Sequence, residues 1–313
     1  MSSQSQGARS VALPRAGVSL HSQRRTRLIA RSFYFILACL GAVVMIIPLY
    51  WLIVTAFKDS GSVFAVPPIL IPNPWLFSNI PDALNSSALP DTFVVFGVTL
   101  PAFFTYLWNT VVVTALTVLG DTLSGAVIAF GFARLRARGS NILFGLVLAT
   151  IMLPYQAVLY PQFILFKTLG WTDSWLPLIV PTYFGSAFNI FLLRQFFMGI
   201  PRELDEAAKI DGCGYFRIFR SIILPLSKPA LAAVAVFSFV FHWNDLLGPL
   251  VYINTSGKYV VSLALQSFTG GYGLAEWNLL MAAALVSSLP CLILFFVAQR
   301  YFIQGIVVSG VKG

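Results

Sequence analysis

Charge is what this chain has least of: 10% of its 313 residues are charged, while 58% are apolar. An average soluble domain carries about 25% charged residues, so an ordinary soluble or disordered chain is excluded. Histidine (2) and cysteine (3) are scarce too, and Cys39, Cys213 and Cys291 share no metal or disulfide spacing. A phosphate-binding loop is missing: Gly257-Lys258 is followed by Tyr259, and Tyr252 stands where the loop's first glycine belongs. Gly212-Cys213-Gly214 begins like a dinucleotide fingerprint but has Arg217 at the third glycine position and no strand before it. Neither a two-histidine zinc-protease helix nor a nucleophile elbow occurs, and the only histidines are His21 and His242. An enzyme is therefore not expected.

What the chain has is long uncharged runs. A bilayer core roughly 30 Å thick needs about 20 helical residues. Ser32–Phe57, Thr92–Gly120 with a continuation past Asp121 to Ala133, Gly139–Phe166, Ser174–Leu193, Pro229–Asn244 and Trp277–Gln299 supply six candidate spans. Pro48, Pro154, Pro161, Pro177, Pro181 and Pro290 fall in or near them and mark kinks, since each lacks an amide donor. The first run follows Arg24, Arg25, Arg27 and Arg31 but is too long for a signal-peptide core, so it is read as a retained helix.

The net charge of +9 is an orientation signal rather than a nucleic-acid footprint. In a six-span arrangement all but three of the 20 Lys and Arg lie on one side, the exceptions being Lys58, Lys167 and Lys258. Positively charged loops stay in the cytoplasm, which puts both termini there. The segments follow: a basic cytoplasmic tail (1–31), the first transmembrane helix (32–57), a proline-rich external loop (58–104), a core of spans two to six (105–299) and a C-terminal cytoplasmic tail (300–313). The external loop carries Pro67, Pro68, Pro72, Pro74, Pro81, Pro90 and Pro101 and is expected to be an irregular cap. Residues 253–276, with Gly257, Gly270, Gly271 and Gly273, read as a second external loop.

The cytoplasmic segment 199–225 carries the chemistry. Gly199 ends one helix and Pro201 suits the first turn of the next. Glu203, Asp205 and Glu206 favour its positive end, and Gly212 suits a left-handed stop. Four of the 11 acids, Glu203, Asp205, Glu206 and Asp211, fall in this one short helix. Leu204, Ala207 and Ala208 share a face that calls for a partner, and the small alanines permit close approach. An amphipathic stretch, Tyr215 to Ile223, follows and stops at Leu224-Pro225.

The spaced order Glu206-Ala207-Ala208, Gly212, Ile222, Leu224-Pro225 resembles the signature of the membrane subunits of ATP-binding-cassette importers. Gly170-Trp171-Thr172-Asp173-Ser174, Trp243-Asn244-Asp245-Leu246-Leu247-Gly248-Pro249-Leu250, Gln299 to Gly305 and Val311-Lys312-Gly313 resemble the carbohydrate branch, specifically the six-span partner in maltose-type importers. The resemblance covers roughly residues 30–313. It implies an all-α integral membrane protein with the type I importer permease fold, six spans and a coupling helix between spans four and five. It further implies a bacterial inner-membrane location, a second permease subunit, two cytoplasmic ATPase subunits that hold ATP and Mg, an external solute-binding protein and a carbohydrate cargo. No cofactor is then held by this chain. Glu206, Ala207, Ala208, Gly212, Ile222, Leu224 and Pro225 inherit the ATPase-coupling role by position. The same architecture with another cargo, such as a polyol, a glycerol-phosphate or a peptide, is an alternative. An ion-coupled secondary transporter needs an internal repeat and intramembrane acids in both halves, against the single mid-span Asp121.

Candidate pathway residues each have two readings. Asp121, costly in a bilayer, either lines the pathway or bonds a neighbouring helix. Trp243, Asn244 and Asp245 either offer a ring face and polar groups to a sugar or form an interfacial anchor with capping side chains. Tyr155, Gln156 and Tyr160 beside two prolines, and Asn189 and Gln195, either face a cavity or pack.

Overall fold

The computed structural model describes residues 20–86, 89, 93–95, 98–269 and 275–310, with 20–30, 93–95, 98–100 and 300–310 as backbone only. Arg9, Arg15, Pro90, Gly270, Gly271, Gly273 and Val311-Lys312-Gly313 lie outside the described residues. Residues up to Trp51 and residues from Leu52 form two compact units.

The first unit is occupied by α1 (Leu20–Ala56), which continues through Pro48 into the second. It starts inside the segment read as a basic tail. Phe33, Leu37, Leu40, Val43 and Met45 are exposed, as expected of side chains whose solvent is lipid.

Among the described residues the second unit is helical apart from one small hairpin. α2 (Asn79–Leu84) and an antiparallel pair, β1 (Phe93–Val95) and β2 (Val98–Leu100), occupy the proline-rich loop that the sequence suggests is irregular. Next come α3 (Ala102–Arg134), α4 (Ser140–Thr150), α5 (Tyr155–Thr168), α6 (Leu176–Ile179) and α7 (Ala187–Gly199). The segment 199–225 and the residue after it hold α8 (Glu203–Ile210), α9 (Tyr215–Ile218), a π turn (Phe219–Ile223) and α10 (Leu224–Leu226). α11 (Lys228–Trp243), α12 (Leu247–Tyr252), α13 (Val261–Gln266) and α14 (Trp277–Gly310) complete the chain. α14 thus runs through most of the segment expected as a C-terminal tail, and α3 begins at Ala102 rather than 105.

Four stretches among the described residues are long and apolar enough to span a membrane as they stand: Arg31–Ala56, Ala102–Arg134, Leu176–Gly199 and Trp277–Gln299. Two more spans require bent pairs, Ser140–Thr150 with Tyr155–Thr168 at 97° and Tyr215–Leu226 with Lys228–Trp243 at 77°. The prolines differ in whether they end a helix. Pro48, Pro161 and Pro290 lie inside helices that continue, whereas Pro154 sits at the sharp bend, where a missing amide costs no ladder bond. The fourth span changes course at Gly185, whose φ of +94° favours glycine and where a Cβ would come within 2.6 Å of Ile128.

α3 is the axis of the second unit, packed against α7 and α11. Its lower half presents Gly125, Ala126, Ala129 and Ala133, small residues that let helix backbones approach without a hydrophobic driving force from water. Gly125 lies against Asn189 and Leu193 of α7. Around this seam Phe130, Leu193, Phe197, Ala208, Ile218, Ile223 and Val234 form one buried cluster. A second cluster joins the upper end of α3, through Phe103 and Tyr106, to α2, α13 and α14.

Candidate functional site

The segment 199–225 forms the short helix that its residues predict. α7 ends at Gly199 and Ile200 is extended; Glu203, Asp205 and Glu206 occupy the first turn of α8. At its end the Gly212 amide donates to the Lys209 carbonyl (3.0 Å) and the Cys213 amide to that of Ala208 (2.8 Å), with Gly212 at φ +78°. That is the glycine-terminated stop in which two orphan carbonyls find donors.

The two faces of α8 differ. Glu203, Leu204, Glu206, Ala207 and Ile210 are exposed, Ile210 to 87%. Asp205 and Ala208 are buried. The sequence-based grouping of Leu204, Ala207 and Ala208 on one docking face is therefore corrected: Ala208 packs inward with Ile200 and Ile218. Ile222 and Leu224 pack against the same cluster, and Pro225 is exposed. The stretch expected to stop at Leu224-Pro225 runs on to Leu226 through a π turn, consistent with a proline that cannot bond four residues back.

One guanidinium ties this segment to the spans. Arg134, at the end of α3, donates from one terminal nitrogen to the carbonyls of Phe197 and Ile200, both at 2.8 Å. Its other terminal nitrogen lies 3.3 Å from Asp205 Oδ2, with side-chain exposures of 2% and 12%. The sequence offered Arg134 only as a topology charge and Asp205 only as a helix-start acid. No spacing rule links residues in different elements.

A second concentration of polar groups lies between α3, α7 and α11. Asp121 Oδ2 accepts a hydrogen bond from Ser238 Oγ (2.7 Å) and lies 3.0 Å from His242 Nε2. Beside them is a cavity of about 400 Å³, also lined by Asn189, Ser186 and three phenylalanines, Phe188, Phe237 and Phe241. That volume is within the roughly 300–1,000 Å³ typical of ligand sites.

The expected pathway residues divide here. Asp121 and Asn189 meet at the cavity. Tyr155 and Gln156 are exposed at the start of α5 and do not line it. Trp243 is buried, stacks on Phe239 at 5.1 Å and donates to the Ser287 carbonyl, so its role here is packing. Asn244 donates to Val240 O, and Asp245 Oδ1 accepts from the Gly248 amide, the capping alternative. Ser238 and His242 were missed; their spacing of four on one helix face was the available signal. Among the described residues no group of three or more His, Cys, Asp or Glu could hold a metal ion.

Toward the other end of α3, the Gly170–Ser174 motif closes a latch on the loop around Thr255. The Asp173 carboxylate accepts from the Thr255 hydroxyl and from the Asn254 and Thr255 amides, and Lys258 Nζ lies 3.0 Å away. These contacts, the Thr255 hydroxyl first, favour the ionised form and hold the Asp173 carboxyl below the usual carboxylate range. Asn109 of α3 donates to the Gly257 and Tyr259 carbonyls of the same loop.

Residues 122–308 match the family model described as binding-protein-dependent transport system inner membrane component. The chain belongs to this family. It is 32% identical over 278 residues to the sn-glycerol-3-phosphate transport system permease protein UgpE of Yersinia enterocolitica, covering 88% of this chain and 96% of that one. It is 34% identical over 271 residues to UgpE of Escherichia coli O157:H7, covering 86% and 93%. In fold it resembles a crystal structure of a bacterial ABC transporter involved in the import of the acidic polysaccharide alginate, with a TM-score of 0.73 at 20% identity over 94% of this chain and all of that one. The permease is thus a multi-pass inner-membrane component of an importer that works with a periplasmic binding protein. It is not itself catalytic, and ATP is used by a partner ATPase.

Proposed function

We propose that this permease carries a small hydroxylated solute, with glycerol 3-phosphate the first candidate, rather than the mono- or oligosaccharide expected from sequence motifs. The supporting observation is that relatives named for sn-glycerol-3-phosphate transport align with 88% of the chain at 32% identity. Carbohydrate remains a second reading, favoured by the cavity's mixture of ring faces with hydroxyl, amide and carboxylate groups. In the first reading the solute's hydroxyls face Asp121 and Asn189. Its phosphate, repelled by the Asp121 carboxylate, lies toward the second permease subunit.

The coupling assignment is also proposed. The exposed face of α8, with Glu206 and Ala207 at its centre, docks on one of two ATPase subunits and conveys its closure to the spans, which alternate between outward and inward access. Ala208, Ile222 and Leu224 support that helix from within, and Gly212 ends it. Both termini are cytoplasmic, on the side of Arg134, Arg136 and Arg138.

The test is uptake into proteoliposomes holding the full complex and its binding protein. Labelled glycerol 3-phosphate should accumulate with ATP and be competed by unlabelled glycerol 3-phosphate but not by maltose. Accumulation of labelled maltose with no entry of glycerol 3-phosphate would establish the carbohydrate reading instead.

A further inference from the structure

The arginines that set topology also line a cavity. Where α3 turns into α4 there is a hollow of about 670 Å³, lined by Arg134, Arg136, Arg138, Arg194 and Arg202, with Ser140 at its rim. Arg134 is already engaged with Asp205 and two carbonyls. Among the described residues no carboxylate forms an ion pair with the other four. Three of them, Arg136, Arg138 and Arg202, are exposed. Arg194 is half-buried, its guanidinium lying 4.0 Å above the Phe144 ring, and its Nε is buried without a hydrogen-bond partner. So many cations gathered without counter-charge repel one another, and that cost is offset when an anion joins them.

The hollow has an apolar side as well. Ile142 and Met198 line it; they are exposed to 72% and 50%, with Leu143 nearby on α4 at 56%. α4 also begins at this rim, its first turn uncapped by any side chain, and the first amides of a helix have no acceptor within it. Planar guanidinium groups suit phosphate oxygens in a bidentate way. A free phosphate would use the arginines and leave the apolar flank bare, whereas a phospholipid uses both. We propose that this hollow is a binding site for the phosphate head group of an anionic phospholipid, with its acyl chains along Ile142 and Met198. The assignment needs only that the chain lies in a bilayer and does not depend on the coupling role of α8. It adds a site beside the α7–α8 junction, through Arg202, at which membrane composition reaches the cytoplasmic segment.

The experiment uses the full complex in nanodiscs of phosphatidylcholine with or without phosphatidylglycerol, together with native mass spectrometry of retained lipid. The wild-type complex should retain phosphatidylglycerol and melt at a higher temperature when it is present. The triple variant Arg136→Gln, Arg138→Gln, Arg202→Gln should retain it at least about tenfold less, each basic residue adding measurably to anionic-lipid affinity. If the triple variant does not accumulate, Arg138→Gln alone should show a smaller loss in the same direction. Equal retention by wild type and variant would overturn the assignment. So would an equal thermal shift from inorganic phosphate in phosphatidylcholine alone, since the site would then take free phosphate.

Discussion

Removing either member of the Arg134–Asp205 pair should cost far more than an exposed ion pair would. The gross attraction of unit charges 3.3 Å apart is about 5 kcal/mol at an effective dielectric constant near 20. Much of it is cancelled by the cost of taking both groups out of water, so the pair's net worth is small. Losing one partner is different, because the other charge stays buried and unmatched, a loss of about 3–5 kcal/mol. With Asp205 partly open to solvent at 12%, the lower end applies to Arg134→Gln, which strands the carboxylate. That substitution also releases the Phe197 and Ile200 carbonyls at the end of α7. Asp205→Asn should cost less, since Arg134 keeps those two bonds. Thermal melting of the purified complex reads each loss, and the double variant should lose well under the sum of the singles, with a coupling energy of about 1–3 kcal/mol. Single variants within about 0.5 kcal/mol of wild type, or losses that simply add, would refute the idea that this pair fastens α8 to α3.

Three further outcomes are expected. Ala208→Leu overpacks a buried site and should destabilise by about 1–3 kcal/mol, whereas Ala207→Leu, on the exposed face, should leave melting unchanged yet weaken co-purification of the ATPase subunits. Asp121→Ala strands the Ser238 hydroxyl and the His242 ring and should cost about 1–3 kcal/mol in melting experiments; Asp121→Asn, which keeps an acceptor, should cost markedly less. The Asp173 carboxyl titrates below its unfolded value of about 3.9, so its stabilisation is complete above that value and is lost as pH falls from about 4 toward its folded value. Melting of the wild type should therefore drop more steeply from pH 5 to pH 3 than melting of Asp173→Asn.

The parts legible in the sequence were those written in local spacing. Uncharged length marked the spans, and Gly199, the acids at 203, 205 and 206, and Gly212 marked α8 with both its ends. Local spacing did not show which way a short helix turns. Ala207 and Ala208 are adjacent and alike, and only the fold turns one outward and the other into the cluster around Ile218. Proline was a poor guide to helix ends for a similar reason: Pro154 stands at the break between α4 and α5, whereas Pro161 lies inside α5. The Asp121 site was half visible. The acid stood out in an apolar run, but Ser238 and His242 reach it across 117 and 121 residues of chain. Trp243-Asn244-Asp245 has residue types that suit a sugar, and in the fold Trp243 packs while Asn244 and Asp245 also bond to nearby backbone.

The central claim is that the outer face of α8 is where ATP-driven motion enters the spans. Uptake per ATP hydrolysed, measured on reconstituted wild-type and Glu206→Lys complexes at equal membrane insertion, tests it most directly. Uptake should fall at least about tenfold in the variant, either with ATP hydrolysis continuing unproductively or with the ATPase subunits lost from the complex. Binding-protein-stimulated uptake and hydrolysis both within about twofold of wild type would contradict it.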